Sequence, residues 1–277
     1  MKNAINWFER CAACGKIPAR GHGPAKILLK TVTGIKIKLL FSNPGFMVLV
    51  LFIQVLSAFA ICRAQAQEGE TSYPVMAPLN QYLIQDTAAE IALARSAAPP
   101  SVSGKAEVMV LGPKGYRIAV KGTNGFVCIV ERSWVIPTDD PGFWNPKVRA
   151  PICYNPLAAK TYLPFDIMKT ELVLAGKSKT EIAQAIGSAF DTKMLPAITP
   201  GAMCYMMSRQ QYLNDLGKCW HPHLMFYLPG KSEESWGANL DDSPILAGYD
   251  SQSQATIFMV WVSKWSDGTP APSMDMH

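Results

Sequence analysis

Between residues 106 and 134 the chain runs through three apolar, β-branched stretches, AEVMVL, YRIAV and FVCIVERSW. They are separated by Gly112-Pro113-Lys114-Gly115 and Gly122-Thr123-Asn124-Gly125, both good turn chemistry. In the second stretch Tyr116, Ile118 and Val120 alternate with Arg117, Ala119 and Lys121, so one face meets water. The pattern predicts an antiparallel meander. Ahead of it, residues 80–95 read as a helix, with Asn80 as cap and Pro99-Pro100 as stop. After it, residues 135–156 are a loop rich in proline and aromatics, too long to be idle.

Two helices are expected next. One runs from Pro164 to Gly176. The other opens at Ser178-Lys179-Thr180-Glu181, the spacing of a reciprocal capping box. Ile182, Ala185, Ile186, Ala189 and Phe190 then form an apolar stripe that must pack on something. Strands follow at 202–208, 224–228 and 255–262, the last apolar on both faces and so interior. The order α, βββ, αα, βββ predicts a single α+β domain. Its antiparallel sheet would have about six strands, with an αα-hairpin and an N-terminal helix packed on it. The expected boundaries are a leader over 1–66, a connector and helix over 67–105, the domain over 106–267 and a disordered tail over 268–277.

Charge changes this picture by isolating the leader. Residues 1–62 carry eight Lys and Arg against Glu9 alone, a balance of +7. From Gln67 onward 17 Lys and Arg face 20 Asp and Glu, a balance of −3. The basic character is not on the folded domain, which argues against a nucleic-acid partner. The basic stretch, the apolar run Gly45–Cys62 and then Ala64-Gln65-Ala66 follow the order of a signal peptide. Cleavage after Ala66 and a periplasmic or secreted protein are therefore expected. The apolar run is also near bilayer-spanning length, so an inner-membrane anchor over 45–62 is the alternative. On either reading, membrane contact runs through the leader only.

Cysteine usage agrees with export. Cys128, Cys153, Cys204 and Cys219 lie beyond the leader, an even number suited to an oxidising compartment. Four cysteines allow three connectivities, and chain order favours Cys128–Cys153 and Cys204–Cys219. Cys11-Ala-Ala-Cys14 in the leader has no second pair to complete a zinc site.

The remaining candidate chemistry centres on Trp220-His-Pro-His-Leu-Met-Phe-Tyr227. If a strand begins at His221, then His221, His223, Met225 and Tyr227 share one face. Imidazole with soft sulfur suits copper, and two histidines with a distant carboxylate suit zinc. Against that, a bridge would consume Cys219, a strand methionine is more often packing, and no third ligand is visible. Histidines that hydrogen-bond within a pocket are the stronger reading, with His221, His223 and Tyr227 as its candidates. H-E-x-x-H and G-x-S-x-G are absent, and the first P-loop glycine is missing before Gly176-Lys-Ser and Gly230-Lys-Ser. Asp139-Asp140 and Asp241-Asp242 read as solvated turns.

The segments Trp220–Tyr227, Trp236-Gly-Ala-Asn-Leu240, Trp265-Ser-Asp-Gly-Thr269 and Asn124–Arg132 resemble a group of uncharacterised exported bacterial proteins. That resemblance implies export and carries no activity, cofactor or partner. The expected function is an exported envelope protein, a non-catalytic ligand-binding or structural module without a cofactor. The alternative is a metal-dependent hydrolase or a copper-handling protein, with zinc or copper held by His221, His223 and Met225.

Overall fold

The structure, a computed structural model, describes residues 72–215, 220–241 and 243–272. The leader, including the apolar run and both of its expected fates, lies outside them, as do Cys219 and residues 273–277. Among the described residues no helix is long and apolar enough to cross a membrane.

The fold is α+β, built on one sheet of eight strands rather than six. In chain order these are β1 (Glu107–Gly112), β2 (Gly115–Val120), β3 (Val127–Glu131), β4 (Ala150–Tyr154), β5 (Ala202–Met206), β6 (His223–Pro229), β7 (Ile245–Asp250) and β8 (Ala255–Trp261). Their order across the sheet is β2-β1-β3-β4-β5-β6-β8-β7. The helices are α1 (Thr87–Arg95), α2 (Pro100–Ser103), α3 (Pro156–Thr161), α4 (Leu163–Leu174) and α5 (Lys179–Asp191).

The two strands that pattern reading leaves out are β4 and β7. β4 sits inside the expected loop. Its Pro151 argues against a strand by the usual rule, because proline cannot donate to a ladder. Tertiary burial overrides that preference, since all five β4 residues are buried between β3 and β5.

The expected meander is also corrected. β1 and β2 form an antiparallel hairpin, but β3 runs parallel to β1, with Glu107 opposite Val127. After β2 the chain recrosses the start of β1. There a side chain on Gly122 would lie 2.1 Å from the Glu107 nitrogen, so only glycine fits that crossing. Thr123 N donating to Lys105 O at 2.8 Å and Glu107 N to Phe126 O at 2.9 Å fix it.

Helix starts follow local capping. α1 begins at Thr87 and not at residue 80, because the Asp86 carboxylate accepts from Ala88 N at 2.8 Å. Residues 79–81 form a short 3-10 turn. The capping box at Ser178 and Glu181 is present with both reciprocal bonds, and Ile182, Ile186 and Ala189 of α5 are buried.

Alternation sends successive strand residues to opposite faces. On one face Cys128, Val130 and Cys153 pack with Ala94, Ala97 and Val108 beneath α1. On the other, Ile129, Ile152 and Tyr154 join Leu163, Phe165, Val173 and Ile182 of α4 and α5 in the main core. A disulfide joins Cys128 to Cys153, residues directly opposite one another on β3 and β4. Cys204 carries a free, buried thiol, and the partner that chain order favours for it, Cys219, lies outside the described residues. Past Trp265 the chain turns back, with Ala271 N donating to Ser263 O at 2.9 Å. Backbone pairing therefore continues past the boundary expected at 267.

The disulfide closes a loop of sequence separation 25. Chain-entropy reasoning gives it about 3 kcal/mol of stabilisation. Cys128→Ser with Cys153→Ser should lower the unfolding free energy by about 3 kcal/mol, seen as a lower denaturant midpoint, and should steepen the denaturant slope because the freed denatured chain exposes more surface, measured against the oxidised wild type. An unchanged midpoint would show that the β3–β4 ladder needs no covalent tie.

Candidate functional site

The helix-bearing face is covered unevenly. Helices α3 and α4 pack against β2, β4 and β5, and they reach across only part of the sheet. Over β6 and β8 the layer is open, and a cavity of about 170 Å³ lies there. Its floor comes from alternate residues of adjacent strands, notably Met206 of β5, Met225 and Tyr227 of β6, and Ile257 and Met259 of β8. Val135, Ile136 and Pro137 form one wall, with Leu213 and Trp220 among the other lining residues. Met225 and Ile257 stay only half-buried although their strands are interior ones, because they face this opening.

One end of the cavity is polar. Glu131 closes β3, Asp166 stands on the first turns of α4, and Asp250 ends β7; all three line it. The Tyr154 hydroxyl contacts Glu131 Oε1 and lies 2.5 Å from Asp166 Oδ2. Tyr154 thus bridges the two carboxyls, which lie within each other's field. A phenol has a single proton to give, so this three-membered cluster is satisfied only when at least one carboxyl is protonated. Electrostatics agree. Burial pushes the Glu131 carboxyl well above its ordinary range, and repulsion from Asp166 adds to this. Burial also raises Asp166, to about 7, against the opposing pull of Tyr154 and Lys169. The pair therefore titrates as a unit.

The surroundings are as dry. Tyr162 stacks on Tyr227 at 3.9 Å, and the Tyr227 hydroxyl lies 3.1 Å from Cys204 Sγ. Burial holds the Cys204 thiol and both phenols above their ordinary values, so all three stay neutral. The nearest cation is Lys169, fully buried and lowered to about 8 by that burial. Its ammonium donates to Ile136 O and to Gln252 Oε1, each at 2.8 Å. Asp250 accepts from Gln252 N at 3.0 Å and from Ser253 Oγ at 2.7 Å.

The expected histidine face divides. The strand begins at His223, not His221. His223, Met225 and Tyr227 share one side, and of these Met225 and Tyr227 line the cavity. His221 stands outside the strand, its ring 5.9 Å from that of Trp261 and 6.4 Å from that of Trp265. His223 is fully buried between Trp220 and Trp261, and its Nδ1 donates to His221 O at 2.8 Å. That bond leaves Nε2 as the bare nitrogen, without a hydrogen-bond partner among the described residues. Burial lowers His223 to about 4 and also lowers His221. Among the described residues no three His, Cys, Asp or Glu side chains are grouped to hold a metal ion.

Pattern reading passes over Glu131, Tyr154, Asp166 and Asp250. A signal for the first was present: Glu131-Arg132 interrupts an apolar strand, and buried charge is the informative exception. Arg132 is answered by Glu90 at 2.8 Å on the other side, which leaves Glu131 to find its own partner. Asp166 carries no such mark, since a helix of mixed pattern hides one buried acid. The chain matches no protein-family model, no curated protein and no solved structure.

The carboxyl pair has a pH signature. Unfolded carboxyls release their protons near pH 4, and this pair holds one to higher pH. Its stabilising contribution is complete below the unfolded value and is lost as pH rises through the folded one. His223 acts oppositely: its contribution is present above 6.5 and is lost as pH falls toward 4. Between pH 6.5 and 8 the pair should pull stability down with a slope of up to about 1.4 kcal/mol per pH unit, against a rise from His223 near 6.5 and from Lys169 near 8. Replacing both acids with their amides, Glu131→Gln with Asp166→Asn, should flatten that slope in denaturation curves taken at several pH values. Equal slopes in the two proteins would mean that no proton is retained.

Proposed function

We propose that this is an exported envelope protein whose domain binds one small, mainly apolar molecule in the cavity over β6 and β8. The observation that carries the binding reading is the incomplete burial of Met225 and Ile257 on interior strands, where both line the cavity. A sheet face in the middle of a domain is ordinarily sealed by helix or loop, and here about 170 Å³ of apolar-lined space stands open with a few polar groups at one end. A cavity of about 150 Å³ with apolar walls is enough to admit a benzene ring. Residues are available to fix orientation, because Tyr162, Tyr227 and the carboxyl pair line the same space. Export is supported by the basic stretch, apolar run and Ala64-Gln65-Ala66 of the leader, together with the Cys128–Cys153 bridge.

Binding is tested by thermal stability with small apolar compounds. Indole or toluene at millimolar concentration should raise the melting temperature of the full chain by mass action. Ile257→Trp fills the cavity from its floor and should abolish that rise. No stabilisation of the wild type by either compound would refute the site. Export is tested separately, by recovering the protein from the cell envelope and sequencing its N-terminus, expected at Gln67. Recovery from the cytosol, with Cys128 and Cys153 alkylated after denaturation without reductant, would overturn it.

A further inference from the structure

The polar end of the cavity says what kind of molecule belongs there, an inference that rests on the cavity being a ligand site. We propose that the ligand is a cation, a primary or secondary amine on a compact apolar body, with its ammonium received by Asp166, Glu131 and Asp250. The argument is one of charge balance. Three carboxyl groups line one side of a mostly apolar space. Tyr154 has one proton to share between Glu131 and Asp166, so the pair presents one negative charge once a single carboxyl ionises, and the Asp250 carboxyl group lines the same space. Among the described residues no ion pair involves any of the three. Lys169 lies within their field, but its ammonium is engaged by Ile136 O and Gln252 Oε1. That leaves one negative charge without a countercharge beside apolar walls, where an uncompensated charge is costly.

An alkylammonium group answers both features. It donates up to three hydrogen bonds to carboxylate and phenol oxygens, and charge-assisted bonds of this kind are stronger than neutral ones. Its hydrocarbon body meets Met225, Ile257 and Met259. An anionic ligand would meet carboxylates, and a neutral one would leave the charge where it is.

Three compounds of similar size test this on the full chain: benzylamine, benzyl alcohol and benzoate, titrated at pH 7 by calorimetry and by tryptophan fluorescence, to which Trp220 in the cavity lining contributes. Benzylamine should bind at least about tenfold tighter than benzyl alcohol, with benzoate weakest. Asp166→Asn should bring the amine and the alcohol to similar affinity, while unchanged alcohol binding reports an intact cavity. Asp250→Asn provides the same test away from the buried pair. Equal binding of amine and alcohol by the wild type would overturn the cation assignment and leave the cavity reading in place. So would a preference for benzoate, or an amine preference that survives in both variants. No binding of any of the three would overturn both.

Discussion

The register between β3 and β4 is the constraint on which the rest depends. Cys128 lies opposite Cys153 and Glu131 opposite Ala150 in one ladder. Strand side chains alternate, so a slip of one residue would send every side chain to the other face. It would carry the disulfide partners out of reach of one another and turn Glu131 away from Tyr154. The covalent bond on one face therefore guards the polar cluster on the other. Two neighbouring strands hold these two features back to back, and neither can move without the other.

What the ladder positions, the helix layer leaves uncovered. α4 and α5 are tied to the β1–β5 half by Leu163, Phe165, Val173 and Ile182 in the core with Ile129 and Ile152. The Ser178–Glu181 box fixes where α5 starts. Beyond β5 the Val135–Pro137 segment supplies a wall, and α4 contributes Asp166 to the lining. The cavity thus arises where the sheet is wider than its cover. Asp166 is placed at its edge by the same α4 turn that presents Asp166 O to the Thr170 hydroxyl, which in turn accepts from Trp134 Nε1.

The sequence was most legible where local chemistry decides. The α5 start, the β1–β2 hairpin and the interior position of β8 follow from capping, turn residues and two-sided apolarity. The Cys128–Cys153 pairing follows from chain order. It was least legible where distant parts of the chain decide. β4 hid behind Pro151, because the preference against proline in strands yields to burial on both sides. The parallel pairing of β1 with β3 depends on a crossing at Gly122 that looks like an ordinary turn residue. The histidine face misled in a specific way. Period-2 alternation from His221 is sound arithmetic, but the strand starts at His223, so the two imidazoles do not share a face by alternation. The polar site lay instead in Glu131, one acid inside an apolar run, and in Asp166, which the helix pattern conceals.

A buried cluster of acids needs a reason, and stability is a poor one. Glu131, Tyr154 and Asp166 are each at most 5 % exposed. Replacing such groups by well-packed apolar ones is often neutral or stabilising, because desolvation offsets what the polar contacts return. The ion pair of Arg132 with Glu90 is different in kind, since its charges cancel and Arg132 also donates to Tyr82 O at 2.6 Å. The carboxyl cluster has no ion pair among the described residues, and Lys169 acts on it only through its field. It keeps a proton, repels a second charge at Asp250 and adjoins open apolar space. Acids perturbed by burial and a specific charge partner, set in a cleft, are candidates for a functional site. On the proposed reading, the cluster is accounted for by the molecule that enters the cavity beside it and by the positive charge that molecule would bring.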